Sequence, residues 1–194
     1  MNKFYITTAI PYVNAKPHIG HALEFVQADT IARFHMIQGN EVLYLCGSDE
    51  NAIKKSKINV NKIKNIEIIF ADAEEIPFKD NYFDVVICTG NTLGNLNEVL
   101  YKILLEIKRV LKNKGLFIFS VYNEDSLKDR MVIYKKYWKE IVDKGKGVIV
   151  VDGVSSQQFS KQEIINILQK SNFEIINLTR KGVFYLIKAQ INKK

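Results

Sequence analysis

The sequence predicts an α/β fold, a single doubly wound sheet that is mostly parallel and ends in an antiparallel strand. Three observations carry this. Short runs of β-branched and aromatic residues alternate with stretches whose apolar residues recur at helical spacing. Two of the runs, Ile66–Ala71 and Phe83–Cys88, are nearly continuous in apolar residues, as strands covered on both faces must be. The repeated strand–helix–strand succession favours parallel strands joined by right-handed crossovers.

Phe4–Ile10 is a β-branched and aromatic run ended by Pro11, hence a strand, and a loop with Asn14, Lys16 and Pro17 follows. From His21 to about Gln38, Leu23, Val26, Ile31, Phe34 and Ile37 fall at roughly helical spacing, and Gly39 stops the helix. Glu41–Cys46 reads as a buried strand and Asp49 to about Lys62 as a second helix. Ile66–Ala71 and Phe83–Cys88 are the third and fourth strands. Glu98–Leu111 is a helix running into the turn Lys112-Asn113-Lys114-Gly115, and Leu116–Val121 is the fifth strand. Ser126 to about Val142 reads as helix and Val148–Val151 as a short strand. Ser160–Lys170 opens with capping-box spacing, Ser160 then Glu163, and is a helix. Glu174–Leu178 and Phe184–Ala189 close the chain as an antiparallel pair. Ligands of such sheets sit beyond the carboxyl ends of the strands, where strand order reverses. The loops after the first and fourth strands are therefore expected to face each other across a crevice. No repeat, low-complexity tract or linker interrupts the chain, so one domain over residues 1–194 is expected.

Composition narrows the function classes. The chain is 47% hydrophobic and 25% charged, the make-up of a globular protein with a substantial core. No apolar run approaches the ~20 residues of a bilayer span, and the opening MNKFYITTAIPYV lacks a secretory pattern. Cys46 and Cys88 each sit in an apolar run and read as buried thiols of a reducing, cytoplasmic compartment. Two cysteines and three histidines make no convincing zinc cluster, and no metal is expected. The net charge is +7, but the lysines are scattered. The densest run, Lys54, Lys55, Lys57, Lys62 and Lys64, interleaves with Ile53, Ile58 and Val60 and reads as the wet face of a helix. No aromatic-and-basic stripe of the single-strand-binding kind is present, so neither nucleic acid nor membrane is expected as a partner.

The loop Pro17-His18-Ile19-Gly20-His21 opens a helix. Unpaired N–H groups and partial positive charge at that end suit an anion. Gly20 lacks a Cβ and lets a nucleotide come close. Two imidazoles one turn apart can donate to phosphate oxygens. With YITTAIPYVNAKPHIGHALEFVQADTIARF and EVLYLCGSDE around this loop, Phe4–Glu50 closely resembles the start of methionyl-tRNA synthetase, a class I aminoacyl-tRNA synthetase. The resemblance implies that His18, Gly20 and His21 belong to an ATP site. It also implies that Ile10, Tyr12 and Asp49 line a methionine pocket, with Asp49 facing the ammonium. The plainer alternative is that these residues now only form the fold. The family pattern continues from DE into His-Gly, whereas this chain has Asn51-Ala52. The second half of that catalytic fold, the KMSKS loop and the anticodon-binding helices are not read in these 194 residues. Lys54-Lys55-Ser56-Lys57 stands in the wrong place to serve as KMSKS. Charging of tRNA is not expected.

From Glu50 onward three separated blocks matter: ENAIKKSKINVNKIKNIEIIFADAEEIPFKDNYFDVVICTGNTLGNL, EIKRVLKNKGLFIFSVYNE and FSKQEIINILQKSNFEI. In this order and spacing they resemble class I S-adenosylmethionine-dependent methyltransferases of the small-molecule type. That resemblance implies a Rossmann-like sheet of strand order 3-2-1-4-5-7-6. An acid at a strand's end can accept from an exocyclic adenine amine, and the following N–H can donate to a ring nitrogen; the family assigns these roles to Asp72 and Ala73. A solvated strand-end acid is the alternative. Pro77 and Phe78 would wall the adenine, or serve only the core. The resemblance sets Cys88, Thr89 and Asn91 beside the methionine moiety of the cofactor. Gly115 is a turn glycine, and Tyr122 and Asn123 either face a substrate or cap the sheet. The family's first strand and acidic, glycine-rich loop are absent, and the synthetase-like strand and loop stand in their place. The ribose-binding acid falls by count on Gly47, with Asp49 two residues later as a substitute.

Both families begin strand, loop, helix, strand, so residues 1–50 can fill the slot of the lost unit in front of residues 50–194. The chain is thus read as a chimera. Its expected function is S-adenosylmethionine-dependent methylation of an unidentified small molecule, weakened or lost because the glycine-rich loop is replaced; no catalytic base is evident. Two alternatives stand beside this reading. One is a non-catalytic product of fusion or of an assembly join. The other is an ATP- and methionine-binding remnant without aminoacylation.

Overall fold

A computed structural model of the protein describes residues 2–8, 30–32, 34–35, 37–46, 71–151 and 153–193. Lys3–Thr8 (β1) and Glu41–Cys46 (β2) pair in parallel, from Lys3 against Glu41 to Thr8 against Cys46. The other edge of β1 pairs in parallel with Phe83–Cys88 (β3), from Phe4 against Val85 to Thr7 against Cys88. The opening unit therefore belongs to the same sheet as the remainder. Leu111–Asn123 (β4) continues the sheet in parallel beyond β3. Phe173–Lys181 (β8) and Phe184–Ile191 (β9) close it, with β9 antiparallel to both β4 and β8. The order β2-β1-β3-β4-β9-β8 reproduces the expected order for the six of its strands that are described. The expected helix Asp49–Lys62 and all but Ala71 of the expected strand Ile66–Ala71 lie outside the described residues.

Charge pins the seam between the two parts. The Asp84 carboxylate accepts from the Lys3 backbone N–H at 2.7 Å and from Lys112 Nζ at 2.8 Å, so one acid on β3 ties β1 and β4 together. The Lys3 ammonium also lies over the Tyr82 ring and 3.5 Å from Glu41.

The alternation of side chains along the strands gives two cores. On one face Tyr5, Val86, Phe117, Phe119, Val121, Tyr185 and Ile187 meet the helices Leu100–Val110 (α2) and Lys161–Lys170 (α4). On the other, Phe4, Ile6, Val85 and Ile87 pack with Val42 and with Ala32 of the helical residues 30–32. Burial on both faces accounts for the unbroken apolar runs. The capping box of α4 is present as expected: Ser160 Oγ accepts from Glu163 N at 3.2 Å, and the Glu163 carboxylate accepts from Ser160 N at 2.6 Å.

Three expectations are corrected. The helix before β4 is α2, Leu100–Val110, preceded by a 3-10 turn at Asn97–Val99. The expected turn at Lys112–Gly115 is a bulge inside β4: Phe83 pairs with Leu111, but Val85 pairs with Leu116. There Lys114 has a φ of 61°, and a Cβ on Gly115 would lie 2.8 Å from the Lys112 carbonyl oxygen. The largest correction falls on Ser126–Val142. The helix is Leu127–Tyr137 (α3), and it gives way to a three-stranded antiparallel meander of Ile141–Gly145 (β5), Val148–Val151 (β6) and Val154–Phe159 (β7). Gly145, Lys146 and Gly147 all have positive φ, the backbone a tight hairpin needs, and no helix continues through them.

The meander joins the sheet at one place. β9 holds one edge of β4 up to Tyr122, and β3 holds the other edge only as far as Phe119. β7 then takes over the vacated edge, pairing in parallel at Tyr122 and Asn123. Thr92–Asn95 (α1), which follows β3, lies against β7 below this junction.

Candidate functional site at the carboxyl ends of the strands

β1 lies between β2 and β3, and the chain leaves it toward one neighbour and later returns to the other. This is the point where strand order reverses and a crevice opens beyond the carboxyl ends. The loop leaving β3 borders that crevice. The loop leaving β1 carries Ile10, Tyr12, His18, Gly20 and His21; these, with Asp49, lie outside the described residues.

Asp72 and Ala73 stand in a tight turn. Asp72 O accepts from Glu75 N at 3.1 Å, and Asp72 Oδ1 accepts from Glu74 N at 2.9 Å. The second carboxylate oxygen of Asp72 and the N–H of Ala73 have no partner among the described residues. Asp72 is exposed, and Ala73 is half-buried against the core. Among the described residues the turn thus presents a carboxylate acceptor beside a backbone donor.

The loop Thr89-Gly90-Asn91 is held from three sides. Gly90 N donates to Ser120 Oγ at 3.0 Å, and Thr92 Oγ1 donates to Thr89 O at 2.7 Å. Asn91 is 1% exposed, with a φ of 62°. Its Oδ1 accepts from Tyr122 N at 2.9 Å, while its Nδ2 donates to Asn95 Oδ1 at 3.3 Å and to Ser156 Oγ at 3.4 Å. The Asn91 amide thus fills the gap along β4 between the end of the β3 pairing and the β7 pairing. Its side chain is spent on the fold, so only its backbone can meet a ligand. Thr89 is half-buried at the mouth and Cys88 is buried just behind it. Tyr122 stacks on Phe184 with centroids 4.7 Å apart, and the Arg130 guanidinium lies 4.6 Å from its ring centroid. Asn123 is buried and donates to Gly182 O, which makes it a cap of the sheet.

Two groups in this region were not singled out by sequence. Glu106 and Arg109, three residues apart on α2, form an ion pair at 2.8 Å. Their (i, i+3) spacing in EIKR is the signal that marks it. Hydrogen bonding from Arg109, and then from Ile76 N, holds the Glu106 carboxyl below its ordinary range against the opposing effect of burial. The same carboxylate, with Asp80, raises Arg109 further above its usual value. Because the folded Glu106 titrates below its unfolded value of ~4.3, its contribution to stability is full above that value and is lost as pH falls through the depressed one. Melting curves from pH 6 to pH 3 should therefore decline less steeply for Glu106→Gln than for the parent protein. Parallel declines would remove Glu106 from the acid response.

Among the described residues no helix is long and apolar enough to cross a membrane, and no group of three His, Cys, Asp or Glu side chains is placed to hold a metal ion.

Comparison with known proteins gives two results. Over its whole length the chain resembles solved methyltransferases in fold. A SAM-dependent methyltransferase from Methanosarcina mazei superposes with a TM-score of 0.67 over 100% of this chain and 93% of the other, at 16% identity. A Burkholderia thailandensis 1,6-didemethyltoxoflavin-N1-methyltransferase, solved with bound 1,6-didemethyltoxoflavin and S-adenosylhomocysteine, superposes with a TM-score of 0.59 over 97% of this chain and 71% of the other, at 12% identity. In sequence, the similarity is to methionine–tRNA ligases. That of Brucella suis is 56% identical over 52 residues, 27% of this chain and 10% of the ligase. That of Blochmanniella floridana is 32% identical over 142 residues, 68% of this chain and 25% of the ligase. The chain spans about a tenth of the length of the first of these relatives and a quarter of the second. Identity is highest in the short match, consistent with an opening taken from one family on a fold of the other. The description tRNA synthetases class I (M) matches residues 4–135, well over half of the 194, and by that measure the chain belongs to the class I (M) tRNA synthetase family while carrying a methyltransferase-like sheet.

Proposed function

We propose that the protein is an S-adenosylmethionine-dependent methyltransferase of small-molecule type whose donor affinity is lowered by the synthetase-like opening. The observation that carries this reading is the parallel pairing of β1 with β3. It completes the switch point of a methyltransferase-like sheet with a foreign strand. The turn at Asp72 and Ala73 supports it, offering an acceptor and a donor to adenine, and Cys88 and Thr89, at and just after the carboxyl end of β3, are the proposed neighbours of the methionine end. Asp49 is the proposed ribose acid. When bound, the donor supplies an activated methyl group. The chain's own part is to hold it against an acceptor and exclude water. The missing glycine-rich loop would have supplied several hydrogen bonds at ~1 kcal/mol each, against roughly 8 kcal/mol for micromolar binding. A cytoplasmic location belongs to the same proposal.

The family match favours a second reading, an ATP- and methionine-binding remnant built on Ile10, Tyr12, His18, Gly20, His21 and Asp49. Isothermal titration separates the two. S-adenosylhomocysteine is expected to bind the folded protein, and Asp72→Ala to weaken it by about tenfold, the loss of one charge-assisted hydrogen bond. ATP binding that disappears in His18→Ala/His21→Ala, with no response to S-adenosylhomocysteine, supports the remnant. A folded protein that binds none of these ligands is a non-catalytic fusion.

A further inference from the structure

We infer that the Arg109–Glu106 pair on α2 is a positioning device for the adenine-reading turn; the inference rests on the donor site proposed above. Every N–H of Arg109 is directed to this purpose. Nε and Nη2 donate to the two Glu106 oxygens at 2.8 Å each, Nη2 also donates to Ile76 O at 2.7 Å, and Nη1 donates to Phe78 O at 2.6 Å and Asp80 Oδ1 at 3.0 Å. Glu106 Oε2 in turn accepts from Ile76 N at 2.9 Å. The peptide groups on both sides of Ile76 are therefore gripped by one ion pair, and Ile76 directly follows the turn Asp72–Glu75. One helical turn earlier on α2, Lys102 Nζ reaches Glu74 Oε2 at 3.0 Å. Lys102, Glu106 and Arg109 share one face of the helix, and residues 74–80 are laid along it.

Packing shares this grip, since the Ile76 side chain is buried in the core and Phe78 stacks on Tyr82 and meets Phe83 edge-on, but it leaves the peptide groups to the ion pair. An open groove of about 420 Å³ runs beside the segment, lined by Glu75, Ile76, Pro77, Phe78, Glu106 and Arg109. The turn itself contributes its own short-range bonds, the Lys102 contact and the packing of Ala73 against the core. The unspent Asp72 oxygen and Ala73 N–H are aimed by the backbone that leads into Ile76, so what orients Ile76 orients them. A bidentate guanidinium supplies direction as well as energy, which a lysine cannot.

The readout is base discrimination, which a merely structural role would leave alone. Titrations compare S-adenosylhomocysteine with S-inosylhomocysteine, in which an oxo group replaces the exocyclic amine that Asp72 would accept from. The parent protein is expected to prefer the adenine form by about tenfold or more, from one charge-assisted hydrogen bond gained or lost. In Arg109→Gln, at a temperature where circular dichroism shows it folded, that preference is expected to shrink to within about threefold. Glu106→Gln keeps an acceptor for Ile76 N but loses the ion pair, and is expected to fall between the two; it also serves if Arg109→Gln does not fold. A tenfold preference retained in a folded variant overturns the inference while leaving the donor site standing. Failure of the parent protein to bind either nucleoside overturns both.

Discussion

Replacing Arg130 by alanine is expected to lower stability by about 4 kcal/mol, combining a core cavity with lost charge-assisted hydrogen bonds. Arg130 is 1% exposed, among the most buried large side chains described. Its Nη2 donates to Ser156 O at 2.6 Å and Ser156 Oγ at 3.1 Å. Nη1 donates to Gly147 O and Gln158 Oε1, both at 3.3 Å, and Nε to Tyr134 Oη at 3.5 Å. Those acceptors lie on α3, on β7 and in the β5–β6 hairpin, so a single guanidinium fastens the meander to the helix before it. All its described partners are neutral, and the Tyr122 ring takes the place an anion would hold. Arg130→Lys keeps the charge but cannot fork to Ser156 O and Gly147 O together, and should recover no more than about half the loss. The measurement is the urea midpoint at low and high salt. A loss below about 1 kcal/mol, or a loss that vanishes in salt, would show that the residue is a surface charge in effect and that the meander is held by other contacts.

What the sequence made legible follows from how local each determinant is. The runs Phe4–Ile10 and Phe83–Cys88 announced themselves because a strand buried on both faces has no polar alternation to blur it. Ser160 and Glu163 marked a helix start because a capping box is complete within four residues. The meander was not read, although Gly145, Gly147 and the Asp152-Gly153 dipeptide punctuate it, because Lys135–Asp143 carries enough helix-forming residues to extend α3 by propensity alone. Val148–Val151 was found, but its partners β5 and β7 are polar strands whose pairing is decided by Arg130 and Asn91, far away in sequence. The site divides in the same way. Asp72 and Ala73 drew notice through their block, and the structure sets them in a tight turn closed by the Glu74 and Glu75 N–H groups. Asn91 was placed beside the cofactor by resemblance, yet its amide is consumed by Tyr122, Asn95 and Ser156, partners up to 65 residues away. Arg109 was passed over because its meaning lies in the carbonyls of Ile76 and Phe78, which no motif displays.

The same Asn91 junction makes Gly94 the second sensitive position. By propensity alone, alanine in a helix should be about 1 kcal/mol better than glycine. The surroundings reverse that sign. A Cβ at residue 94 would lie 2.5 Å from both Asn91 Nδ2 and Oδ1 and 2.6 Å from the Gln157 carbonyl oxygen. None of these can yield cheaply. Asn91 is held at its left-handed φ by three hydrogen bonds, and Gln157 O is strand backbone in β7. Gly94→Ala must therefore push α1 away from β7 or evict the Asn91 amide from the gap in the sheet, and is expected to cost about 3 kcal/mol. Hydrogen exchange should locate the damage: the Tyr122 amide, which donates to Asn91 Oδ1, and the amides of β6 and β7 should exchange faster, while those of β8 and β9 keep their protection. A variant as stable as the parent would mean that α1 can slide freely on β7. The loop Thr89–Asn91 would then be free to move against the meander, and no acceptor site between them could be rigid.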